Sequence, residues 1–374
     1  MIYLDNAATS FPKPPSVLEA ICQTITARGG NPGRGGHQLS LAAAEVIYKT
    51  RQAVATFLNA KGEEHIVFTQ NATHAINTIL FARATPNCHI MISCMEHNSV
   101  RRPVLQLVRE GLATYSVFSP AGDILDNIRA CLKPSDNILI CSHVSNVNGY
   151  EFPVAKIARW CQENKVFFIL DASQSLGHMP FDLEVVPCDA LCAPGHKGLL
   201  GMQGSGILYI RDMDGLKQVF SGGSGADSLS PLMPAYLPDR FEAGTLSTPA
   251  IASLKAGITF LNQVGLREIE KHEKAISLFL HHHLSLMQGI KLYSSPKSSI
   301  VAFSVDGMGS EGVATQLDAY DICVRGGHHC APLAHMTLGT IEGGIVRVSP
   351  GISNTYEEAE VFLDCLECIL KEKG

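Results

Sequence analysis

Between residues 65 and 210, short apolar runs alternate with helix-patterned stretches, and this alternation restricts the fold more than any other feature of the chain. The runs are His65 to Thr69, His89 to Cys94, Asn137 to Ser142, Val166 to Asp171, Ala190 to Ala193 and Gly206 to Ile210. Helical spacing marks the stretches Ala72 to Arg83, Arg101 to Arg109 and Val154 to Asn164. Strands alternating with helices predict an α/β protein with a mostly parallel sheet. Two amphipathic segments, Ser16 to Arg28 and Leu41 to Leu58, precede it. After Pro249 the pattern changes. Helical stretches at Pro249 to Val264 and Leu266 to Met287 lead into strand-like runs at Ser299 to Val305 and Ile345 to Ser349, and a last helix covers Tyr356 to Lys371. The expected organisation is a large region over residues 15–250 and a smaller α+β region made of residues 1–14 and 251–374.

The length of 374 residues exceeds one ordinary core, which supports two packed regions. A net charge of -6 without a basic tract argues against a nucleic-acid partner. Asp5 interrupts the first residues too early for a secretory leader, and no apolar run approaches the roughly 20 residues that span a bilayer. A cytoplasmic protein without a membrane partner is therefore expected. Its 12 cysteines are then reduced thiols. Cys88, Cys94, Cys141 and Cys192 lie in or beside apolar runs and read as small buried hydrophobes.

Ala193-Pro194-Gly195-His196-Lys197-Gly198 follows directly on a predicted strand, where ligands collect in open α/β sheets. Taken alone, Lys197 reads as a solvated loop charge. Its neighbours point elsewhere. The run ending in Asp171 closes a strongly apolar strand with a carboxylate, which either caps the next helix or holds a proton on a ring nitrogen. Gln174, three residues on, is a candidate partner for a ring oxygen. The strand ending at Thr69 leads into Gln70-Asn71-Ala72-Thr73 and a helix, a terminus whose free N–H groups suit either a plain cap or a phosphate. His97 is a candidate to stack on a ring. Lysine, ring partners and phosphate donors together match the requirements of pyridoxal phosphate.

These segments resemble the class V aminotransferase superfamily, and within it the cysteine desulfurases. The resemblance runs nearly end to end: Tyr3 to Thr9, Met95-Glu96-His97-Asn98-Ser99, Ser145-Asn146-Val147-Asn148-Gly149, Asp171-Ala172-Ser173-Gln174 and Gly195-His196-Lys197 carry its first part. Arg240 to Thr245, Arg325-Gly326-Gly327-His328-His329-Cys330 and Arg347-Val348-Ser349 carry the rest. It implies the pyridoxal phosphate fold type I, with a mostly parallel seven-stranded-type sheet and a homodimer. It further implies that Lys197 holds the cofactor covalently, Asp171 faces the ring nitrogen, Gln174 the ring oxygen, and His97 the ring face. Ala72, Thr73 and His196 would serve the phosphate, and Gly223 and Ser224 the phosphate of the partner subunit. Asn146 would contact both cofactor and substrate, with Arg347 and Ala7 completing the substrate side. Pro194 departs from the family, which often has a phosphate-binding serine there.

Cys330 selects among the reactions open to such a cofactor. A thiolate over the substrate can accept sulfur from cysteine, leaving alanine and a persulfide. A buried or incidental thiol is the ordinary alternative, but the setting Arg-Gly-Gly-His-His-Cys-Ala-Pro is poor core material. No metal site is expected: consecutive residues such as His328-His329-Cys330 point in divergent directions, unlike spaced zinc ligands. His328 and His329 would favour the thiolate if they lay close and carried charge. The resemblance is to the group II enzymes. The short segment from Cys330 to Arg347 implies a restricted sulfur hand-off and a small acceptor protein or thiol. Selenocysteine lyase and a class V aminotransferase remain open as alternatives to cysteine desulfuration.

Overall fold

The computed structural model describes residues 1–33, 35–226 and 228–372. Seven strands form the central sheet in the order Ile66–Thr69, Gly206–Ile210, Ala190–Pro194, Phe167–Asp171, Asn137–Ser142, Cys88–Ser93 and Ala113–Phe118. Gly206–Ile210 runs antiparallel to both neighbours and the remaining pairings are parallel. Because side chains alternate across a strand, each run feeds two cores. Phe168, Leu170, Leu139, Cys141 and Leu191 pack into one buried cluster. Ile169, Ile138, Ile140, Ala190 and Cys192 pack into another. Burial on both faces explains why the runs are continuously apolar.

The expected strands and helices are present, with ends shifted by a few residues. The helix Asn98–Arg109 starts three residues before the expected Arg101, because His97 caps it: its Nδ1 accepts the Ser99 N–H at 3.0 Å. Several elements were not expected, among them the helices Ile124–Cys131 and Ser310–Asp318 and the strands Ile290–Leu292 and Ile322–Cys323. Ala113–Phe118 is the sheet's edge strand, half exposed, and its Thr114, Tyr115 and Ser116 blur the apolar signal. The helix Pro332–Leu338 follows Cys330 directly, started by Pro332 and stopped by Gly339 in a left-handed conformation.

A second, antiparallel sheet orders Val346–Val348, Val301–Val305 and Ile290–Leu292. Its core includes Leu4, Ile276, Leu280, Phe303, Val346, Val348, Phe362 and Leu366, drawn from both ends of the sequence and from the helices Leu266–Leu286 and Tyr356–Glu372. The N-terminus joins it through the strand Ile2–Tyr3, paired in parallel with Ile322–Cys323, and through a bridge from Asp5 to Ser349. Among the described residues no helix is long and apolar enough to cross a membrane.

Candidate active site

The strands ending at Thr69, Ser93, Ser142, Asp171 and Pro194 point the same way, so the residues that follow them gather at one edge of the sheet. A cavity of about 160 Å³ opens there. Its lining includes Ala72, Thr73, His97, Asn146, Asp171, Gln174, His196 and Lys197. Gly223 and Ser224 stand apart, lining a separate hollow with Gly33 and residues of the 218–233 segment.

Lys197 lies on the turn after Ala190–Pro194. That turn packs directly on the one after Phe167–Asp171, and glycine makes the approach feasible. A Cβ on Gly177, whose φ is +93°, would fall 2.2 Å from the Gly198 carbonyl oxygen; one on Gly198 would meet the Leu176 oxygen at 2.4 Å. Desolvation, reinforced by the charge of Arg347, lowers the Lys197 ammonium to about 8. A lysine so poised yields a neutral amine near physiological pH.

Asp171 is buried, and its Oδ1 accepts the Ser173 N–H at 2.9 Å. Burial raises its pKa. Among the described residues it enters no ion pair within 4.0 Å, which leaves its charge free for a cationic ring nitrogen. Gln174 is held by one amide N–H, given to the Ala7 carbonyl at 3.0 Å. Ala7 in turn gives its own N–H to Ser349 Oγ at 3.0 Å, so both its main-chain groups are engaged. Desolvation and the Lys197 charge push His97 down to about 4. The neutral ring accepts at Nδ1 from Ser99, which places its proton on Nε2. His196, also lowered to about 4 by burial and by Lys197, bonds Thr9 Oγ1 through Nδ1 at 3.1 Å. Thr73 is in the first turn of the helix Ala72–Arg83, which Asn71 caps by accepting the His74 N–H.

These residues fit pyridoxal phosphate: a desolvated lysine, a buried carboxylate without a cation, and a helix terminus with a hydroxyl share one cavity. Pro194 is in the wall and has no N–H to offer.

Two residues expected to bind substrate, Asn146 and Arg347, are hydrogen-bonded to each other. Asn146 Nδ2 donates to the His329 carbonyl at 2.8 Å, and the Asn146 carbonyl accepts from Arg347 Nη1 at 2.8 Å. Arg347 is 1% exposed, and its Nη2 meets Asp5 Oδ1 at 2.6 Å while Nε is buried with no partner among the described residues. Cys330 is exposed and is not among the residues lining the cavity; its carbonyl accepts the Asn98 N–H at 2.7 Å. His329 and Cys330 have φ of +50° and +55°, a left-handed pair that non-glycine residues adopt only under constraint. Arg325 Nη2 lies 4.0 Å from the Cys330 sulfur.

The condition set for the two histidines fails at one of them. Burial and Arg347 drive His329 down to about 3, so it is neutral and supplies no charge to the thiol. The cation beside the sulfur is Arg325, five residues before it and inside the motif that the sequence displays. Asp5 was also missed. Its signal was its place in the Tyr3 to Thr9 segment, but a partner 342 residues away cannot be read from the chain.

Comparison with known proteins agrees with this geometry. The Aminotransferase class-V family model matches residues 2–362. A probable cysteine desulfurase of Methanothermobacter thermautotrophicus is 34% identical over 377 residues, covering 98% of this chain and 94% of that protein. Another, from Synechocystis, is 31% identical over 388 residues, covering 99% and 91%. The apo structure of a cysteine desulfurase from Thermococcus onnurineus superposes with a TM-score of 0.93 at 31% identity, covering 99% of this chain and 95% of that one. Match length, fold and site together place this chain in the class V aminotransferase family, among its cysteine desulfurases.

Proposed function

We propose that the protein is a pyridoxal phosphate-dependent cysteine desulfurase that converts L-cysteine to L-alanine and receives the sulfur on Cys330 as a persulfide. One observation carries the reading. Lys197 and Asp171 line a single cavity, and a wall residue of that cavity, Asn146, is hydrogen-bonded to the segment bearing Cys330.

Bound there, pyridoxal phosphate supplies an electron sink for bonds broken at the substrate's Cα. Lys197 is the residue that would hold it covalently. Asp171 would keep the proton on its ring nitrogen, Gln174 would use its remaining amide N–H on the ring oxygen, and His97 would cover the ring face. Ala72, Thr73 and His196 would take the phosphate, with Gly223 and Ser224 serving the phosphate of a partner subunit in a homodimer. Arg347 would bind the substrate carboxylate, with Asn146 and Ala7 shaping the space around it. Released amine on Lys197 moves the Cα proton, and its lowered pKa suits it to give and take protons near neutrality. Cys330, on a short constrained segment beside Arg325, would pass sulfur to a small acceptor protein or thiol. Residues 15–250 would form the cofactor-binding domain and residues 1–14 with 251–374 the smaller one, in a cytoplasmic enzyme.

Amino-acid product analysis with cysteine and selenocysteine tests this. With a thiol reductant present to cleave the Cys330 persulfide, itself becoming a disulfide, wild type yields alanine and sulfide from cysteine. Cys330→Ala stops that reaction while keeping the cofactor absorbance band. Normal desulfuration by Cys330→Ala would refute the role of the thiol; turnover confined to selenocysteine would make the enzyme a lyase for that substrate.

A further inference from the structure

The turn that carries Lys197 is fastened from the N-terminus. The His196 carbonyl, one peptide before Lys197, accepts from the Ser10 N–H at 3.1 Å, Thr9 Oγ1 at 3.0 Å and Ser10 Oγ at 3.2 Å. Lys13 Nζ reaches the same oxygen at 2.7 Å and Ser10 Oγ at 2.6 Å. Ser10 Oγ also lies 2.9 Å from the Lys197 carbonyl oxygen. A carbonyl has two lone pairs, so four donors crowd one oxygen, and the shortest contact is the charged one.

Lys13 stands out for what it lacks. Its side chain is half-buried, and burial lowers its pKa to about 8. Among the described residues no carboxylate lies within ion-pair distance of it. A desolvated ammonium without an anion costs stability unless a strong hydrogen bond offsets the loss. The His196 peptide is that partner. Such a charge-assisted bond polarises the peptide and stiffens the turn on its far side. The segment from Asp5 to Lys13 thereby touches each end of the cavity: Asp5 holds Arg347, Ala7 holds Gln174, and Lys13 with Ser10 holds the Lys197 turn.

We infer that Lys13 is a positioning residue for Lys197, locking through the His196 carbonyl the turn that presents the cofactor lysine. The inference rests on Lys197 being that lysine. Without the ammonium, the turn keeps only the neutral donors of Thr9 and Ser10, and Lys197 samples orientations that face the cavity less often. Arginine at position 13 restores a charged donor; methionine keeps the bulk and removes the charge.

Retention of pyridoxal phosphate during dialysis, the absorbance band of the bound cofactor, and peptide mapping after borohydride reduction test the inference, alongside melting of the cofactor-free proteins. Wild type traps the cofactor at Lys197. Lys13→Met loses it roughly tenfold faster, as expected for removal of one charge-assisted hydrogen bond, while its cofactor-free form melts close to wild type; Lys13→Arg recovers retention. If Lys13→Met does not fold, Ser10→Ala, which removes the hydroxyl shared by Lys13 and Lys197, is measured in the same way and must show the same faster loss. Trapping at Lys197 with wild-type retention in Lys13→Met overturns the role of Lys13 alone. Failure of wild type to trap cofactor at Lys197 overturns that role together with the proposed function.

Discussion

Asp5 Oδ1 and Arg347 Nη2 meet at 2.6 Å across 342 residues of chain. The contact joins the segment after the first strand to the strand Val346–Val348, and it leaves the guanidinium with a defined set of free positions. Nη2 serves Asp5, Nη1 serves the Asn146 carbonyl, and Nε has no partner among the described residues although it is buried. Buried polar groups are nearly always paired, so the unpaired Nε is the donor that the proposed substrate carboxylate would use. Asp5 compensates the charge of Arg347 and, with the Asn146 carbonyl, fixes the plane of the guanidinium.

Arg347→Lys keeps the charge and loses the planar fork. We expect the KM for cysteine to rise on the order of 30-fold, equivalent to about 2 kcal/mol for a charged hydrogen bond, with cofactor content unchanged. Asp5→Asn keeps one hydrogen bond and removes the compensating charge, so a smaller rise, roughly tenfold, is expected. Steady-state kinetics on both variants separate the roles. Unchanged KM in Arg347→Lys would remove Arg347 from the substrate site.

Much of this arrangement could be seen in the chain before any coordinates. Phe167 to Asp171 reads as a buried strand ending in a carboxylate because five residues carry no competing signal, and the helix Ala72–Arg83 begins where Asn71 can cap it. Residues that follow strand ends were legible as neighbours, since parallel topology brings those ends to one edge. Other features depend on three-dimensional context. The edge strand Ala113–Phe118 needs only one buried face, so Tyr115 and Val117 remain exposed and its pattern is weak. Asp5 and Arg347 come together only after two sheets have packed. Lys13 looks like any surface lysine until the His196 carbonyl is placed above it.

Glu96 yields a pH prediction. It is fully buried beside Asp171, with Oε1 accepting the Ser142 N–H at 2.9 Å and Oε2 the Ser142 hydroxyl at 2.8 Å; the Ser93 hydroxyl donates to Oε1 as well. Burial raises its pKa to about 7; the serine hydrogen bonds oppose the rise and the Asp171 charge adds to it. Since the folded value lies above the unfolded one near 4.5, the penalty is absent below pH 4.5, grows to pH 7 and is constant above. Glu96→Gln carries no charge at any pH. Its stability relative to wild type should therefore improve as pH rises from 4.5 to 7, by on the order of 3 kcal/mol at most. Denaturant melts at pH 4.5, 6 and 8 measure the change, and a flat difference would show that Glu96 keeps its ordinary pKa in the folded protein.

His178 behaves in the opposite sense to the other buried histidines near the cavity. Desolvation acts to lower its pKa, but the charge and hydrogen bond of Glu273 together outweigh it and the net shift is upward. Its Nδ1 lies 3.0 Å from Glu273 Oε2, linking the turn beneath Lys197 to the helix Leu266–Leu286. A folded pKa above the unfolded 6.5 gives stability that is complete below pH 6.5 and lost as pH rises through the folded value. His178→Gln keeps a polar side chain and cannot carry the charge. It should cost about 2 kcal/mol at pH 6 and less at pH 9, because the wild-type advantage falls as His178 gives up its proton. Glu273→Gln should show the same convergence with wild type at high pH, because both variants break one ion pair. Thermal unfolding of the three proteins at the two pH values tests this, and a deficit as large at pH 9 as at pH 6 would mean that packing, not charge, makes the link.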